Sequence, residues 1–422
     1  MSTTIDTLVI GAGHAGLAVS HLLGQARRDH VVVDRGRVAE AWRSERWDSL
    51  RLLSPRWMTR LPGWRYTGPD QEGFMPTGEL VGHLERYAAA SGAPLELGRE
   101  VFEVAPADSG FRVVADSATW LARNVVVATG PTGRPRVPAT AHELDPDIDL
   151  VTALSYRNPA QLRPGGVLVV GASASGVQIA DELARAGRRV VLSVGSHSRM
   201  PRHYRGMDIH WWLEDTGRLA STIDTVHDPA AARREPSLQL AGREPDDPRG
   251  DVVDLSTLQA VGVEVTGRLR SFAGHVATFA ADLATTVEQS ERRLGRFLDT
   301  VDRHVEQQHL AAEVAPADRP RPVHVPETRE RIDLRAAGIG TVVLATGYVP
   351  HRPWLKVPVT DDHGVIRQHR GATAAPGLYV VGQRFQHRRD AGTLDGARHD
   401  ARDVVAAICA DDCVALRALE LR

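Results

Sequence analysis

The stretch Leu8-Val9-Ile10-Gly11-Ala12-Gly13-His14-Ala15-Gly16 sets an apolar, strand-like run directly before a glycine-rich turn, and a helix-like run from Leu17 to Leu23 follows. The same arrangement returns at Val167-Leu168-Val169-Val170-Gly171-Ala172-Ser173-Ala174-Ser175-Gly176, ahead of Val177 to Ala186. Small residues have a physical purpose in this context. The free N–H groups and dipole at a helix N-terminus favour a phosphate, and the main chain must come close to it. Gly11 makes the turn after the strand, Gly13 lets the backbone approach, and Gly16 lets the helix lie close on its sheet. In the second loop Ser173 and Ser175 keep the bulk small and add hydroxyl donors. His14 reads as a spacer between the glycines. One such loop also suits an ordinary strand-to-helix turn, whereas two in matching context point to two dinucleotide-binding units.

The end of the second strand in each unit separates them, because the ribose 2′-position is read there. In the first unit His30-Val31-Val32-Val33 runs into Asp34-Arg35, and Asp34 is an acceptor suited to an unphosphorylated 2′-hydroxyl, as in FAD or NAD. In the second, Val190 to Val194 runs into Gly195-Ser196-His197-Ser198-Arg199. No Asp or Glu occurs from Gly187 through Met207, while Arg188, Arg189, Arg199, Arg202 and Arg205 do. A 2′-phosphate wants that setting, so the second unit reads as an NADPH site with Arg199 and Arg202 as the leading phosphate partners. The alternative is that the arginines form a solvated face.

Composition frames these sites. A chain of 422 residues is long enough for two or three domains. A formal charge of -2 and a pI near 6.8 give no reason to expect nucleic acid or a membrane surface as partner. Lys356 is the only lysine, which excludes a GK[ST] phosphate loop. No apolar stretch approaches the length of a membrane span, and Met1-Ser2-Thr3-Thr4 leads straight into a strand, so a soluble, cytoplasmic protein is expected. Cys409 and Cys413 stand four apart, unlike a Cys-x-x-Cys redox pair, and no cluster suggests a metal.

An echo indicates that the chain leaves one domain and returns to it. Asn124-Val125-Val126-Val127-Ala128-Thr129-Gly130 is matched by Thr341-Val342-Val343-Leu344-Ala345-Thr346-Gly347. The expected organisation is an FAD domain from 1–164, an inserted NADPH domain from 165–349, and the FAD-domain return from 350–422. Leu378 to Gly382 reads as the returning strand, with Gln383 placed to bond a ribityl chain and a helix from about Leu394 to Ala410 beyond it. Thr129, Gly130, Gly382 and Val101 join the cofactor-binding set. Residues 281–308 give an amphipathic helix with Leu283, Val287, Leu294, Leu298, Val301 and Val305 on one stripe, packing on the NADPH domain or closing its cleft. A homodimer through this helix stays open. The polar stretch 228–251 reads as an extended surface connection.

Trp42, Trp47, Trp57 and Trp64, half of the eight tryptophans, fall within 23 residues after Asp34. They suit either the wall of a flavin and substrate pocket or plain core.

Here the residues resemble the class B flavin-dependent monooxygenases, and within them small bacterial single-component enzymes and the indole-pyruvate monooxygenase branch. The resemblance rests on the first loop, Asp34-Arg35 with Trp42-Arg43, Leu52 to Pro62, Phe74 to Thr77, Val125 to Gly130, Gly171 to Leu183 and Val342 to Tyr348. The family pattern F-x-G-x-x-x-H-x-x-x-Y-[KR] survives only at its end, Tyr156-Arg157, with Pro146, Ile148 and Thr152 at the Phe, Gly and His positions. The resemblance implies an α/β fold of two Rossmann-like domains in a glutathione-reductase-like architecture. It implies that NADPH reduces FAD, that oxygen adds to give a C4a-(hydro)peroxide, and that a small apolar or aromatic molecule is oxygenated. Arg51, Ser54 and Trp57 are the flavin-face candidates; Trp42 and Arg43 join the cofactor set. A flavoprotein reductase or oxidase that inserts no oxygen, or a non-catalytic nucleotide-binding protein, are the alternatives.

Overall fold

A computed structural model describes residues 2–243, 247, 250 and 252–420, with the backbone alone for 411–420. Residues 244–246, 248, 249 and 251 of the expected polar connection lie outside the described residues, as does the Cys413 side chain.

The first sheet grows from β1 (Ser2–Ile10), which pairs in parallel with β2 (His30–Asp34) on one side and with β6 (Ala118–Val127) on the other. Beyond β2 lies β3 (Leu95–Leu97). β4 (Val101–Ala107), β5 (Gly110–Ala115) and the first half of β6 form an antiparallel meander. The second sheet is parallel throughout, in the order β7 (Asp149–Thr152), β11 (Ile339–Leu344), β8 (Gly166–Val170), β9 (Val190–Ser193), β10 (Glu264–Thr266). Finally β12 (Leu378–Val380) returns to the first sheet, in parallel with the second half of β6. Buried on both faces, the central strands are continuous Val, Leu and Ile runs, as parallel sheets require.

Register explains the echo. Ile10, Val127 and Val380 lie side by side at the end of the first sheet, and Thr152, Leu344, Val170 and Ser193 do so in the second. The loops that follow are therefore gathered at the carboxyl ends of parallel strands, where open α/β sheets bind ligands. The second sheet is also entered earlier than the sequence suggests: β7, N-terminal to the expected boundary at 165, pairs with β11 from Asp149 to Thr152. The two crossings meet as an antiparallel pair, Arg134–Pro135 with Tyr348–Val349.

Helix α1 (His14–Gln25) follows the first loop and buries Leu17, Val19 and Leu23. It packs with α5 (Ala397–Glu420), whose Ala401, Val404, Val405 and Ile408 complete that core together with Leu80, Leu84 and Tyr87 of α2 (Thr77–Ala90). Helix α3 (Ala174–Arg185) follows the second loop and buries Val177, Ile179, Ala180 and Leu183. The amphipathic stripe forms α4 (Leu283–Gln307), and all six of its expected apolar positions are buried. Leu283 and Val287 join the core of the second sheet; Leu294, Leu298, Val301 and Val305 cover a separate cluster with Tyr204 and Trp212.

The described part of 228–251 is not simply extended. Asp228 caps a short helix, Pro229–Arg234, through a bond from the Ala231 N–H at 2.9 Å. Leu238–Gln239 then pairs with Ser198–Arg199, and Leu240 and Ala241 are buried.

Candidate dinucleotide sites

The two glycine loops are geometric copies of each other. Gly11 and Gly171 take φ of +116° and +109°, and a Cβ on either would stand 2.6 Å and 2.5 Å from the carbonyl oxygens of Ala128 and Ala345. A Cβ on Gly16 would overlap the Gly11 carbonyl, and one on Gly176 the Gly171 carbonyl. Gly13, by contrast, meets nothing within 4 Å. It has extended backbone (φ -81°), and no side chain caps the helix it precedes, which leaves the first N–H groups of α1 without a side-chain cap. Ser173 holds the same position before α3, again without a side-chain cap. Each loop thus offers a cradle kept open by small residues.

Around the first cradle, the Asp34 carboxylate accepts from the Ala12 N–H at 2.7 Å and the Gly36 N–H at 2.8 Å. These bonds hold the acid at the loop. His14 is buried at its Nε2, which has no partner, and burial lowers its pKa to about 4, so the ring is neutral at pH 7. Gly382, with φ of +79°, stands over Ala15 in the first turn of α1, and the Gln383 N–H donates to Gln386 Oε1 at 3.2 Å. Arg352 donates to Thr129 Oγ1 at 3.2 Å and to the Gly130 carbonyl at 2.9 Å. The open cradle, the orphaned His14 nitrogen and the held Asp34 fit the adenosine and pyrophosphate of FAD.

Other expected residues hold the protein itself. Arg35 pairs with Glu45 at 2.7 Å, and Arg43 pairs with Glu85 of α2. Val101 is a buried rung of the meander, opposite Ala115. Trp47 is packed into the core of the second domain, Trp64 stacks near His83 and Tyr87, and half-buried Trp42 touches both cores. Arg51 donates to the Phe74 carbonyl at 2.9 Å, and its Cβ lies where Gly242 of the inserted domain must be small. Ser54 is half-buried, and Trp57 lies under the Arg60 guanidinium at 5.6 Å. Arg60 in turn bridges Asp395 at 2.6 Å and Glu214 at 2.8 Å, so this segment lies along the seam between the domains.

The arginines expected at the second site require a correction. Arg199 is 5 % exposed; it pairs with Asp254 at 2.7 Å and Glu291 at 2.8 Å and donates to the Arg321 carbonyl. Arg202 is 1 % exposed; it pairs with Asp208 at 2.7 Å, donates to the Leu53 carbonyl at 2.9 Å and stacks over Phe74. Their charges are answered inside the protein, by Asp208, Asp254 and Glu291, which all lie beyond the acid-free run. The cation that leans on the end of β9 is Arg268, whose Nη2 donates to Ser196 Oγ at 3.4 Å and whose Nε lies 3.8 Å from where a Gly195 Cβ would be. It stands 58 % exposed, with its Nε 3.7 Å from Asp282 Oδ2. Sequence reasoning passed over it because it is far along the chain and has no motif.

The surviving Tyr156-Arg157 also has a structural role. Tyr156 is fully buried and donates to Glu182 of α3 at 2.6 Å, and Ser49 donates to the other oxygen of that carboxylate at 2.7 Å. Thr152, at the place of the pattern's histidine, ends β7 with its N–H on Ser155 Oγ at 3.0 Å. Among the described residues Asp390, Asp395 and His399 bring ligand atoms within 4.8 Å of one another. Arg388 holds Asp390 and Arg60 and Arg398 hold Asp395, so the cluster is an ion-pair network.

With this geometry in hand, the comparisons are consistent. Residues 8–216 match the family described as pyridine nucleotide-disulphide oxidoreductase. The chain is 30% identical over 408 residues to an "Uncharacterized oxidoreductase CzcO-like" of Geobacillus kaustophilus, covering 96% of this chain and 98% of that protein. It is 26% identical to "Indole-3-pyruvate monooxygenase YUCCA1" of Oryza sativa, over 98% of this chain and 95% of that one. A flavin-containing monooxygenase from Stenotrophomonas maltophilia has the same fold, with a TM-score of 0.64 at 19% identity, covering 97% and 99% of the two chains. The chain belongs to the class B flavin-dependent monooxygenase family. It is a flavin-dependent oxidoreductase with two Rossmann-like domains, and FAD and NADPH are the cofactors of the family. In this monooxygenase-family chain no described helix is long and apolar enough to cross a membrane.

Proposed function

We propose that this chain is an FAD-dependent monooxygenase that takes electrons from NADPH and transfers one atom of O2 to a small apolar or aromatic molecule. The observation that carries the reading is the duplicated cradle, one copy beside Asp34 and the other beside an acid-free strand end with Arg268. The bound flavin supplies the redox and oxygen chemistry. The protein binds, orients and excludes water. The first loop and Asp34 would hold the adenosine end of FAD, and Gly382 and Gln383 its central part. The Arg51 to Trp57 segment, lying along the domain seam, would face the flavin ring and the substrate.

A second reading is favoured by one observation. Thr152 and Ser155 occupy each other's hydrogen bonds where the family pattern has a histidine. An NADPH oxidase or reductase of the same architecture needs no oxygen transfer.

Anaerobic mixing of the purified yellow protein with NADPH should bleach the flavin. Admission of oxygen with an indole, sulfide, amine or ketone should then consume NADPH with less than one equivalent of hydrogen peroxide. Peroxide equal to NADPH with every compound favours the oxidase reading. Failure of NADPH to reduce the flavin at all rejects both.

Nucleotide preference has a separate test. Arg268→Gln should weaken NADPH roughly tenfold, the value of one charge-assisted hydrogen bond, and leave NADH unchanged. Equal effects on the two nucleotides would remove Arg268 from a 2′-phosphate role.

A further inference from the structure

The seam between the two domains holds two guanidinium groups that no described carboxylate pairs with. Arg46, in the turn after Trp42, packs its guanidinium 5.1 Å from the centre of the Trp42 ring. One of its N–H donors bonds the Glu45 carbonyl at 2.8 Å, while the Glu45 carboxylate itself is held by Arg35 at 2.7 Å. Burial pulls the Arg46 pKa below the usual arginine range; Tyr348 and Glu45 act against that, and the charge of Arg157 adds to it. Arg157 bonds only carbonyls: those of Leu154 at 2.8 Å and Tyr156 at 2.9 Å, and that of Ser44 across the seam.

What stands beside them is the second phosphate loop. Trp42 and Trp47, on either side of Arg46 in sequence, pack on the core that holds Ala172 of the second loop and Val177 of α3, and the Tyr348 hydroxyl, beyond the end of β11, feels the Arg46 charge. Further along α3, Glu182 clasps Ser49 and Tyr156, which flank the two guanidiniums in sequence. The segment bearing Arg46 and the linker bearing Arg157 are thus both fixed against the helix whose N-terminus faces the cradle. A dinucleotide pyrophosphate carries two negative charges, and a guanidinium can meet a phosphate with two parallel N–H bonds.

We propose that Arg46, backed by Arg157, is the FAD-domain half of the pyrophosphate site for the nicotinamide dinucleotide. The second loop holds the pyrophosphate from one side with backbone N–H groups, and Arg46 closes on it from the other domain. This inference rests on the reading of the second loop as a nicotinamide dinucleotide site.

Calorimetric titration of the FAD-loaded protein with NADP+ and with NAD+ tests it without any turnover. Arg46→Gln should raise the Kd of both by the same factor, roughly tenfold or more, because the pyrophosphate is common to them. Arg46→Lys, which keeps the charge and loses the fork, should fall between wild type and Arg46→Gln, and it carries the test should Arg46→Gln bind less FAD. Unchanged Kd values in both variants overturn the proposal, as does a loss confined to NADP+, which would move Arg46 to the 2′-phosphate. A wild-type protein that binds neither nucleotide overturns the reading of the second loop itself.

Discussion

Gly13→Val is expected to give a folded protein without colour. Gly13 has ordinary extended backbone and a hypothetical Cβ there touches nothing within 4 Å, so valine neither strains nor collides with the chain. The space it fills is where the pyrophosphate of FAD would lie on the first turn of α1. A loss of at least roughly a hundredfold in FAD affinity follows if the phosphate must retreat from several N–H donors at once. Size-exclusion elution and far-ultraviolet circular dichroism should match the wild type, while absorbance near 450 nm disappears. Gly16→Val makes the informative contrast: its side chain would overlap the Gly11 carbonyl, so insoluble protein is expected whatever the cofactor. Yellow, stoichiometrically loaded Gly13→Val would show that the first loop does not hold FAD.

The second large effect is on stability. Arg202→Met leaves Asp208 as a carboxylate 5 % exposed without its guanidinium, and removing one member of such a buried pair costs about 3–5 kcal/mol. Burial by itself pushes Asp208 up, but its bonds to His210 and the Arg202 charge outweigh that and hold it below the usual carboxylate range. Arg202 also ties the inserted domain to the Leu53 carbonyl and the face of Phe74. Urea unfolding should therefore show a lower midpoint, and Arg202→Met with Asp208→Leu should recover much of the loss. The preference for NADPH over NADH should not change. A stable Arg202→Met protein with a selective loss of NADPH would restore the 2′-phosphate role that the sequence suggested.

Local features of the sequence carry the fold. The strand–glycine–helix units, the repeated Val-Val-x-Ala-Thr-Gly strands and the stripe of α4 are each encoded within about 25 consecutive residues, and each forms where the pattern places it. The boundary of the inserted domain was less legible. β7 has only four residues, Asp149–Thr152, and its membership of the second sheet depends on pairing with β11 nearly two hundred residues later. Trp47 likewise reads as pocket or core with equal ease, and the core it enters, with Leu50, belongs to the other domain.

The candidate site divides in the same way. Glycine positions and Asp34 were legible because the constraint at each is local: a backbone turn, a close approach, an acid at a strand end. The arginines were not, since a guanidinium reaches far and its role is set by whichever acid it meets. Arg199 and Arg202 stand in an acid-free run, yet Asp254, Glu291 and Asp208 meet them in space. By itself, then, the sequence determined two dinucleotide cradles on two sheets, because turn geometry and helix starts are written in neighbouring residues. Only the tertiary structure decided which cations are answered within the protein: Arg199 and Arg202 are, exposed Arg268 lies beside Asp282, and Arg46 at the seam meets no described carboxylate. Charge compensation is a long-range pairing, and it is settled by the packing of segments far apart in the chain.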